Sequence, residues 1–350
     1  MNSNVSQLKS ALAQFIGADR LIDDPLRTLA YGTDASFYRL IPQLVVKLVN
    51  EDEVSQLLRL AKQYATPVTF RASGTSLSGQ AITDSVLAVL EPNAWRDYEV
   101  LQQGQAIRLQ PGVIGASANQ YLAASGRKIG PDPASINAAR IGGIAANNAS
   151  GMCCGTAQNS YQTLRSMRVI LADGSVLDTG SEASRGAFRV SHRSLLQQLG
   201  KLAQDCRHNE SLAQRIRHKF SIKNTTGYSL NALVDFTDPI DILQQLMIGS
   251  EGTLGFIAEI TYKTVPEHAH KASALVFFAN VQMACEAVAI LKQQPVAAVE
   301  LMDRAALRSV ESKPGMADLL KDLPQQAAAL LIETRASDST VLAQQIQLIE

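Results

Sequence analysis

The stretch Arg71-Ala72-Ser73-Gly74-Thr75-Ser76-Leu77-Ser78-Gly79-Gln80 follows a short β-prone run and combines two glycines with hydroxyl side chains. Glycine reaches backbone angles that other residues avoid, so successive N–H groups in such a loop can converge on an anion. Phosphate or diphosphate binding is the chemistry that suits it. A nucleotide-hydrolase loop, G-x-x-x-x-G-K-[ST], has the same glycine spacing, but Gln80 and Ala81 stand where its Lys and hydroxyl would be. γ-Phosphate chemistry therefore has no support. A second glycine series, Gly249-Ser250-Glu251-Gly252-Thr253-Leu254-Gly255, is spaced G-x-x-G-x-x-G and is not the Rossmann fingerprint.

A third stretch runs from Gly130-Pro131-Asp132-Pro133-Ala134-Ser135 to Ile141-Gly142-Gly143-Ile144-Ala145-Ala146-Asn147-Asn148-Ala149-Ser150-Gly151. Residues 141–151 carry no charge, and their mostly small side chains suit close approach of backbone to a large, flat, polar-edged ligand. Asn147 and Asn148 offer amide donors and acceptors. Any one of these loops alone would read as a tight turn; together they point to a ligand.

Other reactive groups are weaker candidates. His192, His208, His218, His268 and His270 form no HExxH and no chelating pair, so no metal site is expected. Cys153 and Cys154 are adjacent, which closes a disulfide poorly, and they read as small residues packed beside a loop. Trp95 reads as core. Glu300 and Asp303 read as ion-pair or surface groups.

The elements that would position these loops are legible from periodicity. Residues 42–50 read as a strand. Asn50 and Glu53 resemble a capping box, and Val54, Leu57, Leu58 and Ala61 fall at i, i+3, i+4 and i+7 of a helix. Strands are expected at 67–70, 85–90 and 106–112, a hairpin turning at Asp173-Gly174 within 166–180, helices at 192–206 and 239–248, and a strand over 254–264. After His270 the pattern restarts as strand, helix, strand, strand. The domain boundary is placed near 266–272.

Composition excludes several classes. The 350 residues carry 32 Lys+Arg against 32 Asp+Glu, a net charge of zero, where a nucleic-acid binder needs a basic surplus. Aromatics at 5% disfavour a base-stacking platform. The four cysteines show no CxxC spacing, which leaves a reducing compartment as the default. The opening MNSNVSQLKS lacks the basic and apolar regions of a secretory leader, and no run has the ~20 apolar residues of a membrane span.

Taken together, RASGTSLSG, PDPAS…IGG…NNASG and GSEGTLGFI resemble the PCMH-type FAD-binding domain of the vanillyl-alcohol-oxidase superfamily. IKNTTGYSLNAL (222–233) resembles its flavin D-lactate and D-2-hydroxyacid dehydrogenase branch, whose members include some with a C-terminal iron–sulfur part. The likeness covers Pro42 to Pro266 closely and residues after 272 loosely. It implies an α+β fold: an N-terminal helical segment (1–40), an FAD-binding domain of two α/β subdomains (41–268), and the beginning of an FAD-linked oxidase C-terminal substrate domain (272–350).

The resemblance also implies residue roles. Arg71, Ala72, Ser73, Gly74, Thr75, Ser76, Gly79 and Gln80 would wrap the FAD pyrophosphate. Gly130, Pro131, Asp132, Ser135, Gly142, Gly143, Asn147, Asn148 and Gly151 would contact the flavin side and diphosphate, with Glu251 and Gly252 in a third contact loop. Many relatives attach flavin covalently through a His where Thr75 stands, so the FAD is expected to be non-covalent.

The implied reaction is oxidation of a D-2-hydroxyacid, D-lactate favoured, with hydride passing to flavin N5 and electrons to a quinone or cytochrome-type acceptor. D-2-hydroxyglutarate dehydrogenase and a glycolate oxidase flavin subunit are alternatives, as is a non-catalytic FAD-binding subunit. The family's HVGDGN-type segment does not occur here, so the catalytic groups and any iron–sulfur cysteines are expected beyond Glu350, with Lys223 and Tyr228 the nearest candidates within the chain. A cytoplasmic location, peripheral on the inner face of the membrane, goes with this reading.

Overall fold

Asn50 caps the helix Glu51–Gln63 as its sequence predicts, its side-chain oxygen accepting the Glu53 N–H at 2.9 Å. The return half of the capping box is different. Glu53 accepts from the Val49 N–H at 3.0 Å and takes both ends of the Arg20 guanidinium at 2.7 and 2.8 Å. A carboxylate that is itself buried is thereby satisfied on both oxygens. Val54, Leu57, Leu58 and Ala61 all face the core.

The structure, a computed structural model, describes residues 2–350. They divide into a first unit ending at Val265 and a second, Pro266–Glu350. Within the first, β1 (Leu21–Ile22), β2 (Leu44–Leu48), β3 (Val68–Arg71) and β4 (Val86–Leu90) form a sheet ordered β1-β2-β4-β3. The last three are mutually parallel, with the capped helix as a crossover from β2 to β3. A larger sheet joins β5 (Tyr98–Leu101), β6 (Ala106–Leu109), β8 (Leu164–Leu171), β9 (Val176–Asp178) and β10 (Gly255–Pro266), while β7 (Arg127–Ile129) also pairs with β10. β8 and β9 are the two arms of the hairpin read at Asp173-Gly174.

β10 serves two cores. Phe256 and Ala258 pack with the small sheet and its helix, whereas Ile257 packs on the opposite face with β6 and the helices that follow β9. Simple alternation would then send Ile260 to the first core. A bulge between Ile257 and Glu259 adds one residue against β8 and reverses the parity, so Ile260 and Tyr262 join Ile257. Glu259 meets Arg168 across the same ladder at 3.1 Å.

In the second unit, β11 (His270–Phe278), β13 (Ala328–Ala336) and β12 (Ala298–Met302) form an antiparallel sheet in that order. Ala284 and Leu291 of the helix Val281–Leu291 pack on Ala328, Leu330 and Ile332. Asp303, read from sequence as a surface or ion-pair group, caps the helix Arg304–Arg308 by accepting the Ala306 N–H at 2.8 Å.

Candidate functional site

The first glycine loop leaves β3 at Arg71 and is closed at its base by that residue. The Arg71 Nε donates to the Ala81 carbonyl at 2.7 Å, and its Nη2 donates to the same oxygen. Burial lowers the Arg71 pKa from its ordinary value, and Asp34 opposes the shift. Gly74 turns the chain at φ +70°, where a side chain would be strained, and its carbonyl accepts the Ala35 N–H at 2.9 Å. Within the loop the Ser76 hydroxyl donates to Gln80, and Ser73 Oγ donates to the Ala138 carbonyl at 2.8 Å.

That last bond ties the first loop to the second. Residues 133–139 fold into turns held by N–H donation from Ile136 to Pro133 and from Ala139 to Ser135. The short helix Ile141–Asn147 follows and ends at Asn148, in the left-handed conformation at φ +50°. A Cβ on Gly142 would lie 2.7 Å from the Pro111 Cβ, so this helix can start here only with glycine at that position.

The third loop docks on the end of the same helix. Gly249 and Glu251 donate their N–H groups to the Ala145 and Ala146 carbonyls at 3.2 and 2.9 Å. The Asn147 Nδ2 donates to Glu251 Oε1 at 2.6 Å. Burial pushes the Glu251 carboxyl above its ordinary value, and the Asn147 bond acts against that push.

The three loops, with 223–227, enclose a cavity of about 850 Å³, at the upper end of the range for small-molecule and cofactor sites. Of the residues singled out from sequence, Arg71 through Ser76, Gln80, Ser135, Gly142, Gly143, Asn147, Lys223, Glu251 and Gly252 line it. Gly79, Gly130, Pro131, Asp132, Asn148, Gly151 and Tyr228 are not part of the lining. Gly79 packs on Tyr38, and Gly130 sits where a Cβ would meet Gln158 and Thr163. The Asp132 carboxylate accepts the N–H groups of Gly151, Cys153 and Cys154 at 2.9, 3.1 and 3.2 Å. Asn148 accepts the Tyr161 N–H at 3.2 Å, and the Tyr228 hydroxyl lies 2.7 Å from Thr253 Oγ1.

Sequence reasoning did not single out Arg140, Ser250, Pro111, Phe70 or Phe256, all of which line the cavity. Arg140 precedes the uncharged stretch and carries no motif. Ser250 lies inside the motif read for Glu251, and only its burial marks it. Among the described residues no group of three or more His, Cys, Asp and Glu is placed to hold a metal, and no helix is long and apolar enough to cross a membrane.

The lining suits a large anionic ligand. Three cations, Arg71, Arg140 and Lys223, face one carboxylate, Glu251. A Cβ on Gly143 would meet nothing within 4 Å, so the wall there is recessed by the absence of a side chain. The Ser250 hydroxyl is buried and has no hydrogen-bond partner among the described residues.

A family described as "FAD binding domain" matches residues 42–180, and one described as "FAD linked oxidases, C-terminal domain" matches residues 267–350. The chain carries both domain types of the FAD-linked oxidases. This chain is 26% identical over 339 residues to a glycolate oxidase subunit GlcD of Bacillus subtilis, covering 95% of this chain and 60% of that one. It is 29% identical over 238 residues to a D-2-hydroxyglutarate dehydrogenase of Escherichia coli, covering 66% of this chain and 23% of the relative. A mitochondrial D-lactate dehydrogenase [cytochrome] of Arabidopsis thaliana is 26% identical over 322 residues, with 89% and 46% covered. The chain thus spans between about a quarter and three-fifths of the length of these relatives. Among solved structures, an alkyldihydroxyacetonephosphate synthase superposes with TM-score 0.66 at 16% identity, over 98% of this chain and 58% of that one, a likeness of fold.

Proposed function

We propose that this chain is the flavin-holding part of a dehydrogenase that oxidises a D-2-hydroxyacid, D-lactate favoured, to the 2-oxoacid. The observation that carries the reading is the cavity itself: three glycine loops converge on it, two of them within the stretch that matches an FAD-binding domain. Bound FAD would supply the hydride acceptor and pass the electron pair to a quinone or cytochrome-type partner.

The chain's own residues have positioning work in this reading. Backbone N–H groups of 73–78 would hold the diphosphate, an arrangement that needs no lysine surplus in a chain of zero net charge. Arg71, fixed to Ala81, keeps the ends of that loop together. The helix Ile141–Asn147 lies along the cavity through Gly142, Gly143 and Asn147, and the Asn147–Glu251 bond holds the third loop against it. Gly130, Pro131, Asp132, Asn148 and Gly151 act one layer back, fixing the loops that line the cavity.

The names of the relatives motivate D-lactate, D-2-hydroxyglutarate and glycolate as the substrates to try. Purified protein incubated with FAD should retain flavin absorption through gel filtration. Each acid is then added without oxygen, with L-lactate as the control, and bleaching of the flavin band is followed. Bleaching by a D-2-hydroxyacid supports the reading. A chain that retains no flavin removes it. A second reading, a flavin-binding subunit without turnover, is favoured by one observation: among the described residues no histidine lines the cavity to take the substrate hydroxyl proton. Flavin that dithionite reduces and no hydroxyacid reduces would support that alternative.

A further inference from the structure

We infer that FAD binding to this cavity is coupled to proton uptake by Glu251, so that the cofactor is held more tightly in mildly acidic than in mildly alkaline solution. The inference rests on the FAD reading above and concerns the regulation of that same site.

Among the described residues, Glu251 is the one acidic side chain that lines the cavity. Its Oε1 accepts from Asn147, and its Oε2 accepts no hydrogen bond from the described residues. No cation forms an ion pair with it among those residues. Of the three that share the lining, Arg71 is fixed on the Ala81 carbonyl, Arg140 donates to the Ala72 carbonyl at 3.5 Å, and Lys223 lies on the segment before Tyr228. Tyr228 itself is bonded to Thr253.

The carboxylate is also held in place. Glu251 adopts φ +52° between Gly249 at +84° and Gly252 at +77°, and its N–H is bonded to the Ala146 carbonyl. A non-glycine residue in that region is uncommon and persists where the surroundings over-determine it. The preceding Ser250 hydroxyl is buried without a partner among the described residues.

FAD brings two negative charges on its diphosphate and displaces water from the cavity. Both effects disfavour a second anion, adding to the upward push that burial already exerts. A ligand that raises a group's pKa binds with proton uptake, and its affinity falls as pH rises between the free and bound pKa values. Among the described residues the lining holds no histidine, cysteine, tyrosine or aspartate. Glu251 is therefore the lining group that can respond.

The test titrates FAD into the protein at intervals between about pH 5 and pH 8, following quenching of flavin fluorescence. Calorimetry in buffers of contrasting ionisation heat counts protons directly. The unaltered chain should take up a fraction of a proton, at most one, and its Kd should rise with pH by up to about tenfold per unit. Glu251→Gln, with a permanently neutral amide, should bind with a flat pH profile and no uptake. A flat profile and zero uptake in the unaltered chain overturn the inference, as does uptake that persists in Glu251→Gln. The proton count on the unaltered chain decides the question if the variant does not fold. Absence of FAD binding at every pH overturns the FAD reading itself, and this inference with it.

Discussion

The Asp132 carboxylate accepts the Gly151 N–H at 2.9 Å, binding the start of the second glycine stretch to its end. The same side chain also takes the N–H groups of Cys153 and Cys154. Asp132→Ala leaves three backbone donors without that acceptor, at about 1–3 kcal/mol for each donor left unpaired in the interior. Urea unfolding should show a destabilised first unit, and FAD affinity should fall along with stability. Unchanged unfolding would show that the loop holds without this clamp.

Gly143 separates folding from binding. It lies inside a helix, where glycine is disfavoured relative to alanine by about 0.5–1 kcal/mol, and a Cβ there would meet nothing within 4 Å. Gly143→Leu should therefore keep or raise the melting temperature while lowering FAD affinity at least tenfold. Equal affinity would place the cofactor away from this wall.

Deep in the second core, the Tyr262 hydroxyl lies 2.8 Å from Ser160 Oγ, and both residues are fully buried. Burial raises the Tyr262 pKa well above that of free tyrosine, so the phenol stays protonated. Tyr262→Phe leaves the Ser160 hydroxyl alone and should cost about 1–3 kcal/mol in chemical unfolding. The double variant Tyr262→Phe with Ser160→Ala should recover part of that loss.

Acid stability should depend on Asp173. Its own burial pushes the carboxyl up, but bonds from Ser175 and His192 outweigh this and hold it at about 2, down from 3.8. A carboxylate depressed in the folded state stabilises above the unfolded pKa, and that contribution is lost as pH falls from 3.8 towards 2. Unfolding measured across this window should steepen for the unaltered chain more than for Asp173→Asn.

Thr75 lines the cavity, and we propose that the flavin is held there without a covalent bond. Acid precipitation of the holoprotein should leave all the flavin in the supernatant and none on the pellet.

The regular elements were legible because each carries its own period. The helix behind Asn50, the hairpin at Asp173-Gly174 and the restart after His270 are local patterns, and local patterns survive into the structure. The three-residue strand Arg127–Ile129 was not legible, because so short a run has no measurable alternation and exists only by pairing with β10. The cavity divided along the same line. Glycine marks backbone that must bend or be closely approached, so Gly74, Gly142 and the glycine-flanked segment of Glu251 could be read. Arg140 enters the lining through tertiary packing alone, and no spacing rule announces it. Asp132 sits in a motif yet supports the cavity from behind, a distinction that depends on where its side chain points.

The bulge in β10 sets what changes of length the strand can accept. With Ala258 present, Phe256 faces one core while Ile260 and Tyr262 face the other, although all three positions are even-numbered. Removing Ala258 alone would restore plain alternation and leave every neighbour on its present face, at the loss of one buried methyl group. Removing any single residue between Ile260 and Tyr262 would instead exchange inside for outside along the remainder of the strand. Within this strand, the bulge at Ala258 and Glu259 is thus the place where a codon could be lost with both interiors still correctly filled.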